Sequence, residues 1–463
     1  MLTIWGRTRR LCDGIGRREF LRIGALGGAL SLADWFRWQA ASAATAGAGA
    51  SRPKKSVIMV YLLGGPAHLD TYDLKPQLPA EFRGEFRPIP TKVGGIEICE
   101  LFPRQAALMD KMTIIRSLSA TAPNGHSDAE VLTGFNQAES ARAQHPCFGS
   151  VVSRLRGMSD QGIPPYVSMR KMSFPTPTPL PTMLFYLQSG FLGSAHRPLA
   201  LRGSIDQIAN SPAVADLQLP PGVDRRRLEH RKQLLTGFDA LRRDLDSSGA
   251  MSTLDTFQSQ AMNIITSGAL RTALDVGKEP AHVQERYGST PGSASRLGLQ
   301  LLLARRLVEA GVGFVEVALG YWDTHGPAHV LGFPKMRDAL CPTLDRGLSA
   351  LIGDLHQRGM QDDVVIVVWG EFGRTPRINK DAGRDHWLPA MSAVISGGGL
   401  KMGQVIGSTD ARGEYPKDRP YKIPNVLSTI YRTIGIDPAL TFPDLSGRPM
   451  QLLAEREPIR ELL

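Results

Sequence analysis

Between residues 296 and 371 this 463-residue chain alternates leucine-rich and largely apolar segments in a rhythm that few folds accept. Residues 296–310, Arg-Leu-Gly-Leu-Gln-Leu-Leu-Leu-Ala-Arg-Arg-Leu-Val-Glu-Ala, read as a helix that Gly311 stops, and Val-Gly-Phe-Val-Glu-Val-Ala-Leu (312–319) reads as a strand. The cycle repeats with a helix over 335–358 and the run Val-Val-Ile-Val-Val-Trp over 364–369. Short apolar runs without alternation are strands covered on both faces, and strands joined through helices run parallel. The spacing therefore predicts an α/β fold, a doubly wound and mostly parallel sheet with helices on both faces. Ser-Val-Ile-Met-Val-Tyr-Leu-Leu, ended by Gly64-Gly65-Pro66, is predicted as a first strand, residues 112–118 as a second and 390–396 as a later short one. A helix is expected over 424–433.

Carboxylates and histidines gather where these runs stop. Tyr-Trp-Asp323-Thr-His325 follows the strand at 312–319, Gly-Glu371-Phe-Gly-Arg374 follows 364–369, and Gly-Arg-Asp385-His386-Trp comes shortly after. His68, Asp70 and Asp73 follow the Gly-Gly-Pro turn. Ligands of open α/β sheets bind at the carboxyl ends of the strands, and oxygen and imidazole donors suit hard and borderline divalent metals. One metal site drawn from distant segments is expected, with Asp70, Asp323, His325, Glu371, Asp385 and His386 as candidate ligands. Asp385 is also placed to orient His386, His329 competes with His325, and His126 is a candidate acid or ligand. Arg374 is read either as a clamp for an anionic ester or as a partner for Glu371.

The first 43 residues belong to no fold. Arg17-Arg18-Glu-Phe-Leu-Arg22, a short Gly-rich apolar stretch and Ala-Ser-Ala-Ala (41–44) form a twin-arginine export signal with a small-residue cleavage site. A periplasmic or extracellular destination follows, reached by a route that carries folded proteins, with no membrane span left after cleavage. Removing the segment, with its seven Arg/Lys and three Asp/Glu, lowers the net charge from +10 to +6. No basic block with interleaved aromatics remains, so nucleic-acid binding is not expected. Cys99, Cys147 and Cys341 are scattered beyond it and form neither a disulfide framework nor a zinc spacing. A linker over 44–55 leads into one domain over 56–463. Pro, Gly and Ser mark 159–222 as an irregular excursion, and two apolar periodicities mark 224–276 as a helical insertion.

These motifs resemble the DUF1501 family of exported proteins common in Planctomycetes: the twin-arginine signal, Leu-Gly-Gly-Pro-Ala-His68-Leu-Asp70-Thr-Tyr-Asp73, Ala-Arg305-Arg306-Leu-Val-Glu-Ala-Gly-Val, Trp-Asp323-Thr-His325, Gly-Glu371-Phe-Gly-Arg374-Thr-Pro and Gly-Arg384-Asp385-His386-Trp. More distantly, the segment from Asn124 to the Leu-Thr-Gly at 134 resembles a sulfatase nucleophile segment, 365–373 resembles a strand that ends there in Asp-His-Gly, and 423–453 resembles the closing helix of those enzymes. The resemblance implies an alkaline phosphatase-like core with a site for divalent metal, zinc, calcium, magnesium or manganese, that hydrolyses phosphate or sulfate esters. It implies Asp323, His325 and His386 in one metal cluster, with Asp70 and Glu371 contributing to a second.

Three positions depart from that pattern. The Asp expected at the Gly64-Gly65 turn is absent, Glu371-Phe372 replaces Asp-His, and Asn124 stands at the nucleophile position. An amide is a poor nucleophile and a good hydrogen-bond partner, so chemistry here calls for an activated water or a hydroxyl such as Thr121 or Ser127. Two functions are carried forward. One is a metallohydrolase acting on an anionic ester, such as a sulfated or phosphorylated polysaccharide; the other is a metal- or glycan-binding protein without catalysis.

Overall fold

In a computed structural model the first strand, β1 (Ser56–Leu62), is buried at every residue. The residues described are 54–121, 126–170, 189–201, 227, 261–289, 296–319, 322–326 and 332–463. The predicted signal, most of the linker and most of the insertion lie outside them.

Because successive strand side chains point to opposite faces, β1 serves two cores. Ile58, Val60 and Leu62 pack with Leu297, Leu301, Leu344 and Leu348 of α3 (Arg296–Glu309) and α4 (Cys341–Gln357). Val57, Met59 and Tyr61 face the opposite core, shared with α1 (Ala129–Thr133), α2 (Phe148–Arg156) and α5 (Ile423–Thr433). Burying an aliphatic side chain is worth about 1.5–3 kcal/mol, so neither face can be given up.

The remaining strands of the central sheet are β2 (Thr113–Ser119), β3 (Tyr166–Arg170), β4 (Leu199–Ala200), β5 (Phe314–Leu319), β6 (Val364–Trp369), β7 (Met391–Gly397), β8 (Gln404–Ile406) and β9 (Tyr421–Lys422). They lie in the order β8-β2-β7-β6-β1-β5-β3-β4, with β9 also on β2. Every pairing is parallel except those of β7, which is antiparallel to β6 and to β2. The doubly wound, mostly parallel sheet expected from the alternation is present.

Register decides where the site sits. Leu62 pairs with Leu319 and Tyr61 with Trp369, so β1, β5 and β6 end at one edge. Met391 at the start of β7 pairs with Leu118 near the end of β2, so the segment before β7 and the loop after β2 reach the same edge.

Two expectations are corrected. Within the supposed irregular stretch at 159–222, β3 joins the sheet beside β5, and Glu316 accepts hydrogen bonds from the Tyr166 hydroxyl at 3.1 Å and the Ser168 hydroxyl at 3.2 Å. Five residues directly after Pro164-Pro165 show too little pattern to read. The helix expected over 335–358 is present but not uniformly α: one α turn, Phe333–Lys335, and a π segment, Met336–Leu340, precede α4. Pro342 has no N–H for the α-helical ladder, which accounts for the widened turn.

Of the predicted insertion, the described helix Ala269–Leu274 buries Leu270 and Leu274 in the α3 and α4 core. Cys99, Cys147 and Cys341 are buried and free. Among the described residues no helix is long and apolar enough to cross a membrane.

Candidate metal centre

The turn after β1 sets the site's floor. Gly64 and Gly65 have φ of +110° and +77°, in the region that favours glycine, and a side chain on Gly64 would run into the backbone of Asp323. That close approach is held by the Trp322 N–H donating to Leu63 O at 3.0 Å. No aspartate fits at Gly64, which explains the missing first-strand acid.

Arg374 locks the same floor. It is fully buried, and its guanidinium donates to the carbonyls of Gly65 (2.9 Å), Gly64, Arg384 (3.1 Å) and Trp322 (3.4 Å) and to Asp323 Oδ1 at 2.6 Å. A guanidinium committed to so many acceptors has little left for a substrate. The expectation that Arg374 clamps an ester is corrected: it clamps the segments that carry the candidate ligands. Beyond it, a two-residue antiparallel ladder pairs Arg374 with His386 and Gly373 with Trp387.

Three imidazoles meet at Asp323. His126 Nε2 lies 3.2 Å and His325 Nε2 2.9 Å from Oδ2, while His386 Nε2 lies 3.2 Å from Oδ1. Burial alone would raise the Asp323 carboxyl, but hydrogen bonds from the three histidines and the charge of Arg374 hold it well below the usual carboxylate range. Burial likewise opposes charging His126, yet its bonds to Asp323 and Glu371 carry it up to about 9. His386 is pushed down by burial and by Arg374 and His126, against the pull of Asp323.

Behind His126 stands Glu371, 1% exposed, with Oε1 at 2.7 Å from Nδ1. Its two oxygens also accept from the Gly64 N–H at 3.0 and 3.1 Å. Phe372 walls the group, its ring centroid 4.4 Å from that of His386 and 5.3 Å from that of His126.

The donor set fits a metal ion. One ligand atom each from His126, Asp323 and His386 lies within 4.8 Å of the others. Ligands bound at 2.0–2.2 Å to a tetrahedral ion stand about 3.3–3.6 Å apart, so small side-chain movements suffice. An imidazole whose far nitrogen rests on a carboxylate, as His126 rests on Glu371, is the arrangement that orients metal-bound histidines. His325 reaches the same carboxylate from the rim, its side chain 40% exposed, and lies outside the tightest group.

The structure thus gathers Asp323, His325, His386 and His126, with Glu371 behind them. It does not gather Asp70. That carboxylate is buried against Arg384, with oxygens 2.6 Å from Nε and 2.9 Å from Nη2, so the expected ligand is one half of a bidentate ion pair. Asp385 is corrected for a different reason. It lies just before the ladder, is exposed, and accepts from Asn379 Nδ2 at 2.9 Å, outside the group at Asp323. Asn124 and His329 lie outside the described residues. Phe372 had no signal in the sequence beyond standing where the resemblance leads one to expect a histidine.

Residues 54–463 match the model of a family described as "Protein of unknown function (DUF1501)". The chain is a DUF1501 protein. No curated protein matches this DUF1501 chain. Among solved structures it is similar to Ps i-CgsB, at 10% identity and a TM-score of 0.38, covering 83% of this chain and 72% of that one. It is similar to the PsFucS1 sulfatase from Pseudoalteromonas sp. (11%, TM-score 0.37, 86% and 70%) and to the phosphonate monoester hydrolase SpPMH from Silicibacter pomeroyi (14%, TM-score 0.37, 84% and 74%). Likenesses this loose carry no weight for function, which has to be read from the side chains.

Proposed function

We propose that this DUF1501 protein is an exported, metal-dependent hydrolase of phosphate or sulfate esters. The observation that carries the reading is the convergence of three imidazoles on the ionised Asp323, one of them backed by Glu371. A divalent ion bound by His126, Asp323 and His386 would supply Lewis-acid polarisation of an ester oxygen and lower the pKa of an attacking water.

The chain's own groups do the rest. Glu371 and the Gly64 N–H keep His126 turned with Nε2 toward Asp323. Arg374 keeps Asp323 from swinging away from the histidines. His325, the most exposed of the three imidazoles, is the group from which the leaving alkoxide takes a proton. With Asn124 at the nucleophile position suggested by the resemblance, water attacks in place of a side chain. The arginine pair at 17–18 supports export by the twin-arginine route, and sulfated or phosphorylated polysaccharides are the matching extracellular substrates.

Asn124 also favours a second reading, a metal- or glycan-binding protein that does no chemistry. One experiment separates the two. The purified mature protein is analysed for bound metal and assayed with 4-nitrophenyl phosphate and 4-nitrophenyl sulfate across added divalent ions, beside Glu371→Gln and His386→Ala. Metal-dependent turnover lost in both variants supports the hydrolase. Stoichiometric metal without turnover refutes it in favour of the second reading.

A further inference from the structure

The loop that joins the two strands of the Arg374 and His386 ladder lines a cavity of about 550 Å³ whose walls are Thr375, Arg377, Ile378, Asn379, Lys380 and Asp385. It touches the candidate centre twice through the chain. Asp385 immediately precedes His386, and Asn379 Nδ2 donates to the carbonyl of His325 at 3.0 Å.

The polar wall is built rather than loose. Asn379 also donates to Asp385 Oδ1 at 2.9 Å, and its own oxygen accepts from the N–H groups of Asp381 (3.0 Å) and Gly383 (3.1 Å). The Thr375 hydroxyl donates to Arg377 O at 2.9 Å and accepts from the Asp385 N–H at 3.0 Å. Against this fixed frame Arg377 and Lys380 are exposed, and neither enters an ion pair among the described residues.

Two uncommitted cations in a cavity call for an anion. Asp385 and Ile378 on the same wall make a bare inorganic ion a poor match, since one repels it and the other offers it nothing. A hydroxylated ring suits both: its hydroxyls donate to Asp385, its apolar edge lies on Ile378, and an anionic substituent meets Arg377 and Lys380.

We infer that this cavity binds a second anionic substituent, sulfate or phosphate, on a carbohydrate whose ester is cleaved at the His126, Asp323 and His386 group. The inference rests on the hydrolase reading for its reaction, but the cavity can be tested without turnover. A disulfated disaccharide and its monosulfated counterpart are titrated calorimetrically into the full-length mature protein, and a disaccharide carrying two phosphates is run beside them to separate sulfate from phosphate recognition.

The wild type binds the doubly charged sugars more tightly than the singly charged one. In the Arg377→Ala/Lys380→Ala variant that preference falls about tenfold, and Arg377→Lys/Lys380→Arg restores it. No preference in the wild type, or one that the alanine variant keeps, overturns the inference. A preference that follows Arg377 and Lys380 in a protein that hydrolyses no ester upholds the cavity and removes the hydrolase reading.

Discussion

Glu371 holds His126 by its rear nitrogen, Oε1 to Nδ1 at 2.7 Å, while its other bonds go to the backbone of the turn after β1. One buried carboxylate therefore fixes both the histidine and the strand end against which Asp323 is packed. Glu371→Gln keeps an acceptor for the Gly64 N–H but loses the charge that orients the imidazole. Metal affinity, read by competition with a calibrated chelator, is expected to fall ten- to a hundredfold with little change in melting temperature.

Asp70→Asn tests the correction made for that residue. It leaves the Arg384 guanidinium buried beside a neutral amide with no counter-charge, a change worth roughly 3–5 kcal/mol in denaturant unfolding. Metal bound per folded molecule stays at the wild-type value. A loss of metal with intact stability would return Asp70 to the ligand set.

Gly64→Ala acts on geometry alone. The residue's φ of +110° and the Asp323 backbone beside it leave no room for a methyl group. A cost of about 1–3 kcal/mol is expected from the backbone, together with displaced Asp323 and weakened metal binding. Chemical denaturation and metal titration of the same sample check both.

Acid should find a weak point at His145, which is not among the groups that meet at Asp323. Burial holds the His145 imidazole, stacked on Phe135 at a 3.6 Å centroid distance, down to about 4 from its ordinary 6.5, with Glu139 opposing. Above pH 6.5 neither state is protonated and the full stability is present. As pH falls from there toward about 4 the unfolded chain takes a proton that the folded one refuses, so stability is lost across that window by on the order of 3 kcal/mol. His145→Gln lacks this loss. Urea unfolding at pH 7 and pH 4.5 should show the gap between wild type and variant shifting in the variant's favour at the lower pH.

Much of this architecture was legible because β6 is wholly apolar and β1 and β5 are each apolar but for one residue, Ser56 and Glu316, a pattern that two-sided burial explains. β3 was not, since a run of only five residues carries no readable period. Among site residues, Asp323 and His386 were readable from their places beside strand ends. Asp385 instead takes Asn379 of its own loop as partner, six residues away and not marked by any pattern. Asp70 was not readable either, because its partner Arg384 lies 314 positions away. His126 is a single histidine in a loop, and nothing local says that two carboxylates, 197 and 245 residues later, will meet it.

Arg374 draws carbonyls from the turn after β1, from Trp322 and from Arg384 onto one guanidinium, so the site's floor is complete only when all of these segments are in place. A ribosome-bound chain still short of residue 386 has neither the last imidazole nor the finished floor. An ion held by His126, Asp323 and His386, as proposed, would therefore be captured late in folding, after the distant segments that carry these side chains had come together.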